Sequence, residues 1–102
     1  MSILHTVNKS PFERNSLESC LQFATDGAAV LLIEDGVYAA LSGTSVEPRV
    51  IAALDKLRVF VLGPDLEARG FREDRLISGI GVVDYAGFVD LAAEHDKVQA
   101  WL

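Results

Sequence analysis

The sequence predicts an α/β fold, a three-layer α/β/α sandwich around a mainly parallel sheet of four to five strands. Three observations carry this. Short apolar runs recur along the chain, stretches of helical spacing separate them, and neither repeats nor linkers interrupt the alternation. That alternation is what strand–helix–strand crossovers produce, and parallel strands covered on both faces read as continuous apolar runs. At 102 residues the chain fits one domain, spanning 1–102.

The elements follow in order. Ile3 to Val7 reads as the first strand. Asn15 is expected to open a helix, with Glu18 three residues on to close a capping box. Leu17, Cys20, Leu21 and Ala24 then share one apolar face at helical spacing, and Gly27 is a candidate left-handed stop. Ala29 to Ile33 is the second strand. Asp35 is expected to cap a short helix from Gly36 to Leu41, which Gly43 can end. The next helix starts near Ser45, tolerates Pro48 in its first turn, and is expected to bury Val50, Ile51, Leu54 and Leu57.

Val59 to Leu62 is the third strand. Asp65 is expected to open a short helix that stops at Gly70, and 71–79 reads as a loop. Ile80 to Val83 is the fourth strand. Asp84 caps the last helix, on which Tyr85, Phe88, Val89 and Ala92 share a face. The tail VQAWL is either a short fifth strand or an arm, and Trp101 is expected to pack back on the domain or into a neighbour. Asp35, Asp65 and Asp84 each follow a strand, so all three fall on the carboxyl edge of a parallel sheet, where ligands usually bind. A carboxylate at each helix start satisfies free N–H groups there and opposes a phosphate.

Composition excludes several functions. The formal net charge is −6, and the densest basic stretch, Arg69 to Arg75, is interrupted by Glu73 and Asp74. Nucleic-acid binding by the chain alone is therefore not expected. No phosphate-cradling glycine motif is present, which argues against a nucleotide. No apolar run approaches the roughly 20 residues of a membrane span, and MSILHTVNKS does not read as a signal peptide. The expected setting is soluble and cytoplasmic. Half the residues are hydrophobic, high for so small a chain, so part of the apolar surface is expected to face a partner.

Chemistry-bearing residues are few. One cysteine, Cys20, rules out an internal disulfide, and with two isolated histidines it makes no metal site by spacing. A sulfur carrier needs the thiolate, which a nearby cation or a helix amino terminus favours. Cys20 has neither in sequence; it lies mid-helix on an apolar stripe with Glu18 and Asp26 nearby. It is either a small buried hydrophobe or, if reachable from a cleft or subunit boundary, a reactive thiol. His5 is in phase with Ile3 and Val7 and reads as a hydrogen-bonded core or interface residue, while His95 ends the last helix, where a cation complements the dipole.

Several blocks resemble one family. LHTVNKSPF is similar to the LHT…SPF/W opening of DsrH and TusB proteins, and LLIEDGVYAAL resembles their LL-x-x-DGV-x-AAL block. VFVLGPDLEARGF resembles a V-x-x-L-x-x-D-L-x-ARG block, while VVDYAGFVDL and the closing QAW are similar to a DY-x-x-FV-x-L segment and terminal AW. They recur in order over essentially the whole chain. SLESCLQFA and the unbroken GPDLEARGF favour the DsrH branch of sulfur oxidation over the TusB branch of tRNA wobble-uridine thiolation.

The resemblance implies a subunit of a cytoplasmic sulfur-relay complex of the DsrEFH type. It implies a hetero-hexamer with DsrE- and DsrF-like subunits and a DsrC-like downstream carrier, passing persulfide sulfur with no cofactor. It also implies that the main reactive cysteine lies on the DsrE-type partner, leaving Cys20 an auxiliary carrier or a structural residue. TusB-like and purely assembly roles are the alternatives.

Overall fold

The computed structural model describes residues 2–102. Strand β1 (Ile3–Val7) leads through α1 (Ser16–Phe23) to β2 (Ala29–Leu32). A 3₁₀ helix (Glu34–Ala40) and α2 (Glu47–Ala53) precede β3 (Arg58–Leu62), then α3 (Gly63–Ala68) and a 3₁₀ turn (Glu73–Arg75) lead to β4 (Gly81–Val83). The described chain closes with α4 (Tyr85–Glu94) and β5 (Lys97–Trp101). The tail is thus a strand, and the sheet is parallel throughout with order β4-β3-β2-β1-β5.

Connection handedness sets the layers. Steps from β1 to β4 move in one direction across the sheet, so right-handed crossovers place their helices on one face; the return from β4 to β5 places α4 on the other. The cores match. Val7, Val30, Leu32, Val59 and Val61 pack under Leu17, Cys20 and Leu21 of α1, Val37 of the 3₁₀ helix, Val50 and Ala53 of α2 and Leu66 of α3. On the opposite face Leu4, Ala29, Leu31 and Leu62 meet Leu91, Phe88 and Ala92 of α4. The three-layer α/β/α sandwich expected from the sequence is the observed fold.

Several local expectations are corrected. Asn15 stands at the start of α1 but its side chain caps nothing, and Glu18 does not close a capping box. Its carboxylate instead accepts from Arg49 Nε at 3.0 and 3.1 Å. Helix α1 ends at Phe23, with Ala24 as its C-cap, before Gly27; at φ +85° that glycine turns the chain into β2 and donates its N–H to the Lys56 carbonyl at 2.8 Å. Ile51, placed on the buried stripe of α2, is 48% exposed, and Ala53 takes the inward position. On α4 the sheet-facing residues are Phe88, Leu91 and Ala92, while Tyr85 and Val89 are 60% and 67% exposed. A single helix offers these two side chains nothing to pack against.

Candidate functional site

Of the three strand-end aspartates, only Asp84 caps its own helix, accepting from Gly87 N–H at 2.8 Å. Asp35 and Asp65 act across the chain instead. Asp65 lies in the first turn of α3, and its Oδ2 accepts the Glu34 N–H at 2.6 Å. This holds Glu34 at φ +50°, a left-handed conformation unusual for a side-chain-bearing residue. Asp35 accepts from Arg69 Nε at 3.0 Å and pairs with its Nη2 at 2.9 Å, while Arg69 Nη1 donates to the Asp65 carbonyl at 3.3 Å.

The segments IEDGV and GPDLEARG are therefore two halves of one clasp tying the carboxyl ends of β2 and β3 together. Gly36 belongs to it by close approach: a Cβ there would lie 2.1 Å from the Val7 carbonyl oxygen. Sequence reasoning missed the clasp because its partners lie 31 and 34 residues apart. The one local signal was the four-residue spacing of Asp65 and Arg69, which places them on one helix face.

Beside the clasp, the ends of β3 and β4 open into a cleft of about 810 Å³ between the starts of α3 and α4. Pro64, Phe71 and Val82 give it apolar walls. Its charged groups are Arg72 against Glu67, Glu73 and Asp84, a balance that repels phosphate. No cysteine or histidine lines it.

Cys20 lies elsewhere. It is 0% exposed, in the same buried cluster as Leu17, Leu21 and Val30. Desolvation pushes its thiol up to about 12, because the surroundings offer the thiolate no compensation. An inert, protonated thiol is the chemical consequence in this packing.

His5 is buried and accepts a hydrogen bond on Nδ1 from Trp101 Nε1–H at 3.1 Å, which joins β1 to β5. Phe23 packs edge-on against both rings, at centroid distances of 6.1 and 5.7 Å. Burial lowers the His5 pKa. Both sequence expectations for this group hold: His5 is a hydrogen-bonded core residue and Trp101 packs back on the domain.

His95 closes α4, its Nδ1 hydrogen-bonded to the Leu91 carbonyl at 2.6 Å and its Nε2 to Arg58 Nη2 at 3.1 Å. Among the described residues no group of His, Cys, Asp and Glu is arranged to hold a metal ion. No helix there is long and apolar enough to cross a membrane.

A family profile described as "DsrH like protein" matches residues 9–98. The chain belongs to the DsrH/TusB family. Curated relatives agree over their full length. Protein TusB of Pectobacterium parmentieri is 37% identical over 99 residues, covering 97% of this chain and 100% of the relative. Protein TusB of Escherichia coli O1:K1 / APEC is 34% identical over 101 residues with the same coverage.

Solved structures extend the likeness of fold. The ychN protein of E. coli superposes with a TM-score of 0.82 at 20% identity, covering 98% of each chain. A protein of unknown function from Methanobacterium thermoautotrophicum gives 0.73 at 15% identity, covering 96% of this chain and 97% of the other.

Proposed function

We propose that this chain is the TusB-like subunit of a cytoplasmic sulfur-relay complex serving tRNA wobble-uridine thiolation, and that its contribution is assembly rather than sulfur transfer. The observation that carries the branch is the full-length similarity, at 34–37% identity, to proteins named TusB. The observation that carries the assembly role is the setting of Cys20, closed in the core with its thiol pushed up to about 12.

In such a relay an acceptor thiolate attacks the outer sulfur of a donor persulfide. The S–S bond breaks, the donor leaves as a thiolate, and the acceptor becomes the persulfide with no net oxidation. A thiol held protonated cannot start that step. The attacking cysteine is then on a sister subunit of the DsrE or TusD type, and this chain supplies folded surface. The unpartnered Tyr85 and Val89 on α4 suit that role.

The sulfur-oxidation reading, with DsrE-, DsrF- and DsrC-like partners, keeps two specific supports: the SLESCLQFA segment and the unbroken GPDLEARGF, both of which resemble the DsrH branch. Measuring 2-thiouridine in tRNA from cells lacking this chain separates the two. Loss of the thiolated wobble base supports the TusB-like role. Unchanged thiolation with impaired oxidation of stored sulfur places the chain in the other branch.

A further inference from the structure

At the β4 edge one strand residue has its backbone turned off the sheet. The directions follow from two bonds. Arg58 N–H donates to the Ala28 carbonyl and Ile33 N–H to the Val7 carbonyl, each at 3.0 Å. Backbone groups alternate sides along a strand, so Arg58, Phe60 and Leu62 face β2 while Val59 and Val61 face β4. Val61 is in register with Val82, so it bonds Gly81 and Val83 and leaves the Val82 N–H and C=O off the edge. β4 is the last strand on that side of the sheet, so no strand of the described chain takes them up.

That open pair lies along the cleft, which Val82, Val83 and Asp84 line in sequence. The Val82 side chain, 36% exposed, is on the α3 face; a Cβ on Gly63, the first residue of α3, would come within 3.1 Å of its Cγ1. Around it stand three carboxylates, Glu67, Glu73 and Asp84, against the single guanidinium of Arg72. Two ion pairs form among the described residues, Arg49 with Glu18 and Arg69 with Asp35, and neither uses Glu67, Glu73 or Arg72. The cleft therefore offers apolar wall, an unused backbone pair and surplus negative charge together.

We propose that this cleft binds an extended segment of a partner protein, added antiparallel to β4, with an apolar residue opposite Val82 and a Lys or Arg two positions away. One residue of the segment exchanges both N–H···O bonds with Val82. Its side chain falls on the face of Val82, toward α3. The period of two puts the basic side chain on that same face, where Glu67 of α3 carries the opposite charge. The occupant is thus a basic and apolar strand, and the charge balance disfavours an acidic one. The inference goes beyond the proposed function and stands without it.

The test uses the full chain, labelled with ¹⁵N, and the probe peptide acetyl-Lys-Thr-Val-Thr-Lys-amide. Titration should shift the amides of Val82, Val83 and Asp84 with a dissociation constant of about 1 mM or tighter, and hydrogen exchange at Val82 should slow. The counterpart with Glu in place of both Lys should bind about 10-fold more weakly or worse. Glu67 and Glu73 are exposed, so the double variant Glu67→Lys/Glu73→Lys keeps the fold, read by far-UV circular dichroism, and should reverse that preference. No shift at 82–84 with the Lys peptide, equal binding of the Glu peptide, or indifference to the double variant would overturn the proposal. So would the same shifts produced by spermidine, which would make the cleft a cation site, or by the chain's own concentration, which would make the occupant a second copy.

Discussion

The thiol under α1 and the cleft at the ends of β3 and β4 are made of opposite materials. Cys20 has a sulfur but neither solvent, cation nor donor; the cleft has solvent, charges and apolar walls but no nucleophile. In an enzyme of this fold the two would coincide at the carboxyl edge. Here the edge is taken up by the clasp of Asp35, Asp65 and Arg69, which is structural. The separation teaches that this subunit holds a familiar scaffold together without placing a reactive group where substrates reach.

The largest effect should come from the clasp. Gly36→Ala drives a methyl into the Val7 carbonyl, which backbone at the end of β1 cannot vacate. The expected loss is at the upper end of about 1–3 kcal/mol, or above it, in chemical denaturation. A loss of a few tenths would mean that the edge is softer than its packing.

Cys20→Ser tests the other half of the comparison. Burying a hydroxyl among Leu17, Leu21 and Val30 should cost about 1–3 kcal/mol, with little change for Cys20→Ala beyond a small cavity. A near-zero cost for serine would place the side chain at a wet boundary and reopen it to chemistry.

Asp84→Ala weakens the cleft wall alone. It removes the one side-chain cap among the described helices and should cost about 0.5–2 kcal/mol while leaving β1, α1 and the Cys20 setting unchanged. An altered thiol reactivity in that variant would mean that the cleft and the core are coupled.

The smallest effect concerns His5. Its folded pKa is lowered from 6.5 by burial, so between those two values the unfolded chain binds a proton that the folded chain refuses. Stability is therefore full above about 6.5 and falls as pH drops toward the folded pKa. Protonation also removes the Nδ1 acceptor that Trp101 uses. Denaturation between pH 7 and 5 should find this slope, and His5→Gln should reduce it.

The strands were legible because each parallel strand is covered by helices and so reads as an unbroken apolar run, as in Ala29 to Leu32. Asp84 was legible as a cap because its partner is three residues away. Asp35 and Asp65 were not, because a carboxylate in a first turn serves its own helix or a distant N–H equally well in sequence. Ile51 on the expected buried stripe, and Tyr85 and Val89 on the face shared with Phe88 and Ala92, are exposed because apolar periodicity marks a face wider than the neighbouring elements cover. The resemblance of blocks identified the family. It could not say which side of α1 the thiol turns to, since that depends on how the helix seats on β1 and β2.

The central claim is that Cys20 is a packing residue and not a sulfur carrier. Mass spectrometry of this chain, assembled with its sister subunits and exposed to a persulfide donor, tests it most directly. The account predicts an unmodified Cys20 beside a sister cysteine that gains one sulfur, with Cys20 alkylated only after denaturation. A sulfur added to Cys20 in the folded complex, at a yield comparable to that of the sister cysteine, would contradict it.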